Sequence, residues 1–404
     1  MQRSLRVARL ATFAYFTLNG FLLGMWIVHI PGIEHRAGIG HAAFGWLLLL
    51  LGAGAFTAMQ FAGPLTDRFG ARVVVPLGAA LCSATLILPG LATNAWTLGA
   101  ALLALGVGNG CLDVSMNAHA VQVERGYGRP VMSAFHATFS LGGVLASLVG
   151  ARTLGWGWSP ATTLTVAAAL GLTVAAVAAR ALLGRPATAP DPDAPAAKSR
   201  RGTPRRIWAL ATLALMIMLC EGVANDWSVL HLRNVLDAPA ATAALAFGAF
   251  ATAMTAGRLL ADRVAARLGP VAILRYGASA AALGMTVAAL SPWGPLALLG
   301  WTVFGAGLSG CVPQLFSAAG HTDQSTAGAN VSRVAGLGYL GMLAGPAVIG
   351  PLTHLVPLNL TFFLPVAFCV VAACAAGILR APAPARSYEK SIAPVAAQRS
   401  DGAP

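Results

Sequence analysis

The sequence predicts an all-α membrane protein, with twelve transmembrane helices arranged as two six-helix halves related by a pseudo-two-fold axis. Three observations predict this. The 404 residues are 57% hydrophobic and only 10% charged, with a mean hydropathy of +0.72, too few ionisable side chains to cover a soluble surface. The ionisable residues gather in short segments between long apolar runs. The second half of the chain also repeats patterns of the first.

A spanning helix needs about 20 mainly apolar residues. Runs of that kind lie at 8–30, 41–62, 72–91, 95–122, 131–151 and 160–183, then at 207–231, 240–262, 270–290, 295–318, 327–353 and 357–380. The first follows Arg3, Arg6 and Arg9, as a signal peptide would. Its apolar run is too long for one, and no small-residue cleavage site stands out, so it is read as a helix. Residues 1–183 and 207–380 then form two six-helix bundles. The linker between them, 184–206, is rich in Pro and Ala and carries Arg185, Lys198, Arg200, Arg201, Arg205 and Arg206. It is expected to be flexible, with room for a short surface helix against anionic lipid. The tail, 381–404, is expected to be disordered.

The net charge of +13 is topological. With the N-terminus inside, the cytoplasmic side receives Arg68, Arg72, Arg125, Arg129, Arg258, Arg263, Arg267 and Arg275, together with the linker arginines and Arg386, Lys390 and Arg399. The outside receives Arg36, Arg152 and Arg233. This is the positive-inside bias, and it puts both termini in the cytoplasm, so the positive charge gives no reason to expect nucleic acid as a partner. Trp46, Trp96, Trp156, Trp158, Trp208 and Trp293 fall near span ends, where indoles favour the interface. The six cysteines, Cys82, Cys111, Cys220, Cys311, Cys369 and Cys374, lie in apolar runs without a CxxC pair and read as small packing residues. Lysine occurs only at Lys198 and Lys390, the arginine-heavy usage of a GC-rich bacterial genome. The expected location is therefore a bacterial inner membrane.

The halves repeat in order. Asn19-Gly20 precedes His29 at the spacing with which Glu221-Gly222 precedes His231, with Trp26 and Trp227 between. Thr57-Ala58-Met59 leads to Gly63 and Asp67-Arg68, as Thr252-Ala253-Met254 leads to Gly257 and Asp262-Arg263. Gly106, Gly108 and Gly110-Cys111 are matched by Gly305, Gly307 and Gly310-Cys311. Parallel six-helix repeats rocking about a central site are a recognised transporter plan.

Between spans two and three runs Gly63-Pro64-Leu65-Thr66-Asp67-Arg68-Phe69-Gly70-Ala71-Arg72. Its glycines permit a tight turn and close helix approach, and Asp67 near a helix end can pair with arginines or with the dipole of a neighbouring span. Such a latch would hold one gating state; the bland alternative is a basic topogenic loop. The segment resembles the G-x-L-x-D-R-x-G-x-R loop of the major facilitator superfamily. The second copy keeps Asp262 and Arg263 but continues Val264-Ala265, so the full latch is expected of the first copy. Asn109-Gly110-Cys111-Leu112-Asp113-Val114-Ser115-Met116-Asn117, with Gly128-Arg129-Pro130-Val131-Met132-Ser133-Ala134-Phe135-His136 and Ser140-Leu141-Gly142-Gly143, resembles the bacterial YbjJ-like branch. That branch is related to the yeast bypass-of-stop-codon transporters and similar to the fucose permease group of proton-coupled sugar carriers. The resemblance implies an alternating-access carrier, with acidic residues in the first and fourth spans; Asp113 matches the second of these, and Asn19 stands in the first span.

Polar side chains inside a bilayer are costly and generally face a bundle interior or a cavity. Asn109, Asp113 and Asn117 form one stripe on span four, where a carboxylate can take a proton while carboxamides hydrogen-bond solute hydroxyls. Glu221 lies in span seven, with Asn225 one turn on and Asp226 beside it, facing by symmetry the region of Asn19. Asp113 and Glu221 are expected to be the proton-sensitive pair; otherwise they pair with Arg333, Arg129 or helix ends and serve packing. His136, with Ser133 and Ser140, makes a polar face on span five, a structural hydrogen-bonder or a proton relay with equal weight. Gln314, Asn330 and Arg333 add polarity on spans ten and eleven. The substrate and proton site is thus expected at Asn19, Asn109, Asp113, Asn117, His136, Glu221, Asn225, Gln314 and Asn330, and gating at Gly63, Asp67, Arg68, Gly70, Arg72, Asp262 and Arg263. The pairs Gly20–Gly24 and Gly341–Gly345 read as helix-packing surfaces.

The function expected is proton-coupled uptake of a small polar solute such as a sugar, with proton-driven efflux of drugs or metabolites as the alternative on the same fold. The partners are the solute and the bilayer, the protein is a monomer, and no cofactor is called for beyond a proton gradient. An enzyme is not expected, since HExxH, GxSxG and a Walker loop are all missing and Ser133 and His136 share one helix.

Overall fold

The computed structural model describes residues 2–39, 41–184 and 203–380, and these are helical almost throughout. The first half runs α1 (Gln2–Ala37), α2 (His41–Phe69), α3 (Ala71–Leu91), α4 (Ala95–Tyr127), α5 (Met132–Gly155) and α6 (Pro160–Ala179). The second runs α7 (Arg205–Asn234), α8 (Ala240–Leu268), α9 (Pro270–Leu290), α10 (Gly294–Leu308), α11 (Cys311–Thr322), α12 (Ala327–Leu352), α13 (Leu358–Thr361) and α14 (Phe363–Ala375), closed by a 3-10 turn. Among the described residues, eleven helical segments are long and apolar enough to cross a bilayer, counting α10 with α11 as one and α13 with α14 as another. The remaining span is α8, whose apolar character is diluted by Arg258, Asp262, Arg263 and Arg267 toward its end.

Local chemistry sets the ends. Asn94 caps α4 reciprocally: its side chain accepts the Thr97 amide at 3.0 Å, while the Thr97 hydroxyl accepts the Asn94 amide at 3.3 Å. Ser159 caps α6 at 3.1 Å from the Thr162 amide, with Pro160 in the first turn. Gly70 and Gly269 turn the chain between α2 and α3 and between α8 and α9, at φ of 82° and 81°.

The packing repeats with the sequence. In the first half α1 lies on α5, α2 on α4, and α3 on α4 and α6; in the second, α7 lies on α12, α8 on α10, and α9 on α10 and α14. Gly106 lets α4 approach the Leu51 carbonyl of α2, and Gly305 lets α10 approach the Phe250 carbonyl of α8 in the same way. Gly20 and Gly24 abut α5, and Gly341 and Gly345 abut α7, so both small-residue pairs are packing surfaces. Each half has its own apolar core, and the halves meet along two seams, α2 with α12 and α5 with α8. The six tryptophans expected at interfaces are all exposed.

Several expectations shift in detail. Helices α1 and α4 extend past their apolar runs, to Ala37 and Tyr127. The linker begins at Gly184, but α7 starts at Arg205, inside the stretch read as linker. The Arg206 guanidinium donates to the carbonyls of Ile378 and Arg380, both at 3.1 Å, which ties α7 to the end of the last span. Residues 185–202 and 381–404, where the flexible linker and the disordered tail were expected, lie outside the described residues. The six cysteines are free, four of them buried. The end of the bundle holding the start of α1 and of α7 and the turns at Gly70 and Gly269 is called the basic end below.

Candidate functional site

Four helices bring a polar chain across the middle of the bundle. Asn117 on α4 donates to the Asp113 carbonyl at 2.8 Å and lies 3.4 Å from its carboxylate. The Asn117 side-chain oxygen meets His136 Nε2 on α5 at 3.1 Å. With the amide nitrogen committed to Asp113, that oxygen is an acceptor, so Nε2 carries the hydrogen. One turn on, Ser140 donates to the His136 carbonyl at 3.4 Å and accepts from Arg258 of α8 at 3.1 Å. The other arm of Arg258 reaches Glu221 of α7 at 3.4 Å. Asp113 and Glu221, in opposite halves, thus stand at the two ends of one relay of contacts, which passes through the His136 backbone carbonyl between the imidazole and Ser140 and so conveys movement rather than a proton along its whole length.

The chain is incompletely satisfied. Asp113 Oδ2, Asn109 Oδ1 and Arg258 Nε are buried without a partner. Asn109 is within hydrogen-bonding reach of Tyr339 on α12, which also lies near Asp113 and Glu221. Unpaired buried polar atoms are expensive, and each marks a place where a polar guest or a proton would be welcome. Asn19 on α1 is fully buried with both amide atoms bare. Asn225, one turn beyond Glu221 away from the basic end, is exposed.

Gln314 and Asn330 lie apart from this chain. Gln314 is buried and lines a cavity of about 840 Å³ at the basic end, shared with Arg125, Arg129, Arg206 and His321. Asn330 donates to the Thr326 hydroxyl at 3.2 Å and accepts from Arg333 at 3.5 Å in the first turn of α12.

The basic end is closed by bonds between the halves. The Asp67 carboxylate accepts the Gly328 and Ala329 amides at the start of α12, at 2.7 and 2.8 Å. The Asp262 carboxylate accepts the Ser133 and Ala134 amides at the start of α5, at 3.0 and 2.7 Å. Each carboxylate sits on orphan donors at the positive end of a helix dipole. The second copy was expected to make the lesser latch because its loop departs from the first; the contact needs only the carboxylate, and the geometry is the same. Gly63 lets α2 approach the Gly328 carbonyl, and Ser332 donates to the Met59 carbonyl beside it. Arg68 is exposed over the Phe69 ring, and Arg72 donates to the Arg180 carbonyl at 3.4 Å, pinning α3 to the end of α6. Arg263 is exposed.

Further bonds thicken this seal. Glu124 accepts the Val131 and Met132 amides at 2.9 and 3.0 Å, and its other oxygen accepts Ser317 of α11 and lies 3.9 Å from His321. Arg125 donates to the Gly320 carbonyl and stands near Asp67, Glu124 and Asp323. In the loop before α12, partial burial alone would raise the Asp323 carboxyl, but bonds from Ser325 and Thr326 and the charge of Arg125 hold it below the usual range.

Sequence reasoning missed two members of the central chain. Arg258 was counted with the basic loops; it lies inside α8, four residues before Asp262 and on the same face, which was the available signal. Tyr339 follows Arg333 in the apolar stretch of α12 and gave no signal beyond its hydroxyl.

Comparison with known proteins agrees with this architecture. Residues 10–326 match the Major Facilitator Superfamily. The chain is 34% identical over 348 residues to an uncharacterized MFS-type transporter of Yersinia pestis, covering 86% of this chain and 89% of that protein. It is 32% identical over 373 residues to an uncharacterized transporter of Sinorhizobium fredii, covering 91% and 97%. The fold is similar to that of the E. coli fucose:proton symporter FucP, with a TM-score of 0.74 at 14% identity, covering 94% of this chain and 100% of that one. With relatives this similar along nearly its whole length, the chain belongs to the Major Facilitator Superfamily and is a multi-pass membrane transporter, not an enzyme.

Proposed function

We propose that the protein is a secondary carrier that works by alternating access and couples uptake of a small polar solute, such as a sugar, to the proton gradient. The observation that carries this reading is the relay from Asp113 through Asn117, His136, Ser140 and Arg258 to Glu221. It crosses from one half to the other, so any change in its protonation or ligation is felt at the seam along which the halves must move. A buried carboxylate with a bare oxygen is costly as an anion unless a cation or proton joins it, which makes Asp113 a proton carrier and Glu221 its counterpart. The neighbouring carboxamides and Tyr339 supply donors and acceptors for hydroxyl groups.

The two carboxylate latches and the Glu124–Ser317 contact hold the basic end shut, so the solute enters from the opposite side. By the positive-inside rule the basic end is cytoplasmic, both termini with it, and the site then opens outward in a bacterial inner membrane. The fold of a fucose:proton symporter supports proton coupling by analogy only. The protein needs no cofactor on this reading, acts as a monomer and belongs to the YbjJ-like branch.

The test is solute-evoked proton movement in proteoliposomes carrying an internal pH dye, across a panel of neutral sugars, sugar acids and cationic drugs. Acidification of the lumen evoked by a sugar or a sugar acid is the expected result. Collapse of a preset gradient by drugs would show efflux instead, and silence across the panel would remove the proton-coupled reading.

A further inference from the structure

Arg258 is out of place in a site built for a neutral solute. A guanidinium midway along a membrane bundle is costly, and it persists where it serves a partner. Its own partners are thin. The contact to Glu221 is 3.4 Å, long against the 2.7–2.9 Å typical of charge-assisted pairs, and it uses one oxygen and one nitrogen where a fork-to-fork pair would use two of each. A neutral hydroxyl, Ser140, takes the second arm at 3.1 Å. Nε is buried with no acceptor at all. Of five donors, the described contacts occupy two. Glu221 and Arg258 keep side-chain exposures of 16% and 12%, so protein packing does not seal the pair completely.

We infer that Arg258 is the anchor for a carboxylate on the transported solute, and that the substrates are small hydroxylated carboxylates, such as sugar acids. This rests on the carrier reading above and narrows it. The solute's carboxylate displaces Glu221 and takes the guanidinium bidentately, the geometry for which arginine is suited and lysine is not. Its hydroxyls meet Asn109, Asn225 and Tyr339. Because Arg258 lies one turn from Asp262 on α8 and holds Ser140 on α5, a carboxylate that draws the guanidinium away from Ser140 loosens the seam that Asp262 latches. Recognition and unlocking then share one side chain.

The test is calorimetric titration of the full-length protein in detergent with three matched pairs: glycerate and glycerol, gluconate and glucitol, glucuronate and glucose. At least one acid is expected to bind about tenfold or more tightly than its neutral partner, as a bidentate arginine–carboxylate contact allows. Arg258→Gln should abolish that preference, and Arg258→Lys should restore only part of it. Glu221→Gln, which removes the competitor, should tighten acid binding several-fold. A merely structural ion pair would have both partners' variants move together, so opposite signs separate the roles even if each variant loses thermal stability. The inference is overturned if neutral partners bind as well as acids, if Arg258→Gln binds acids like wild type, or if no acid binds. Proton movement evoked by a neutral sugar would keep the carrier and remove this inference; acid binding without any flux in proteoliposomes would do the reverse.

Discussion

Asp262, toward the end of α8, accepts the Ala134 amide in the first turn of α5 at 2.7 Å and so bolts the second half to the first. Asp67 makes the same bond to Gly328 and Ala329 on the other seam. The two seams carry one device each, as a duplicated chain requires. Hydrogen bonds to a charged group contribute about 1.5–3 kcal/mol each, net of the competing bonds to water. Asp67→Asn and Asp262→Asn should therefore each shift the carrier toward opening at the basic end by about tenfold or more. Distances between spin labels on Arg68 and Ser325, and on Arg263 and Arg129, would report it. An effect of Asp67→Asn with none from Asp262→Asn would refute the symmetric latch.

The close approaches at Gly106 and Gly305 make a second prediction. A methyl group at either would press into a backbone carbonyl, of Leu51 or Phe250, which cannot yield as a flexible side chain would. Gly106→Ala and Gly305→Ala should each cost about 1–3 kcal/mol or more through overpacking. Gly155→Ala, where nothing lies within 4 Å, should melt like wild type. Melting of the purified variants in detergent decides this; equal melting of all three would contradict the packing described.

His136 passes a hydrogen bond from Nε2 to Asn117 at 3.1 Å. His136→Gln keeps a donor near that position and should retain proton-driven uptake within a few-fold. His136→Phe keeps the bulk between Phe16 and Phe316 but leaves the Asn117 side-chain oxygen unpaired, at a cost of about 1–3 kcal/mol, and uptake should fall tenfold or more. If both variants transport alike, the histidine is a packing residue.

The fold was legible because a bilayer simplifies the code: apolar run length marks a span. The stripe of Asn109, Asp113 and Asn117 was legible for the same reason, since polar residues four apart in an apolar helix have few other uses. The partner of Glu221 was not. Arg258 lies within the apolar run at 240–262 but reads as one more cytoplasmic arginine, because it stands one turn before Asp262-Arg263 at the end of that run, whereas its side chain turns inward to Glu221. The sequence reading offered Arg333 and Arg129 as partners for the acids; Arg333 instead bonds Asn330, and Arg129 lies over the Tyr127 ring. Gln314 and Asn330 are polar residues in apolar spans like the others, yet their depth along the helix puts them at the basic end, a coordinate that residue type does not encode. The equal standing of the second latch was hidden because the loop pattern around Asp262 decays while the carboxylate and its two target amides remain.

The central claim, that proton coupling runs through Asp113, is tested most directly by comparing exchange with accumulation in proteoliposomes. With a transported solute on both sides and no gradient, Asp113→Asn should exchange label at a rate within a few-fold of wild type. Under an inward proton gradient the same variant should fail to accumulate solute, where wild type concentrates it. Accumulation by Asp113→Asn equal to wild type would contradict the account and move the coupling group elsewhere along the relay.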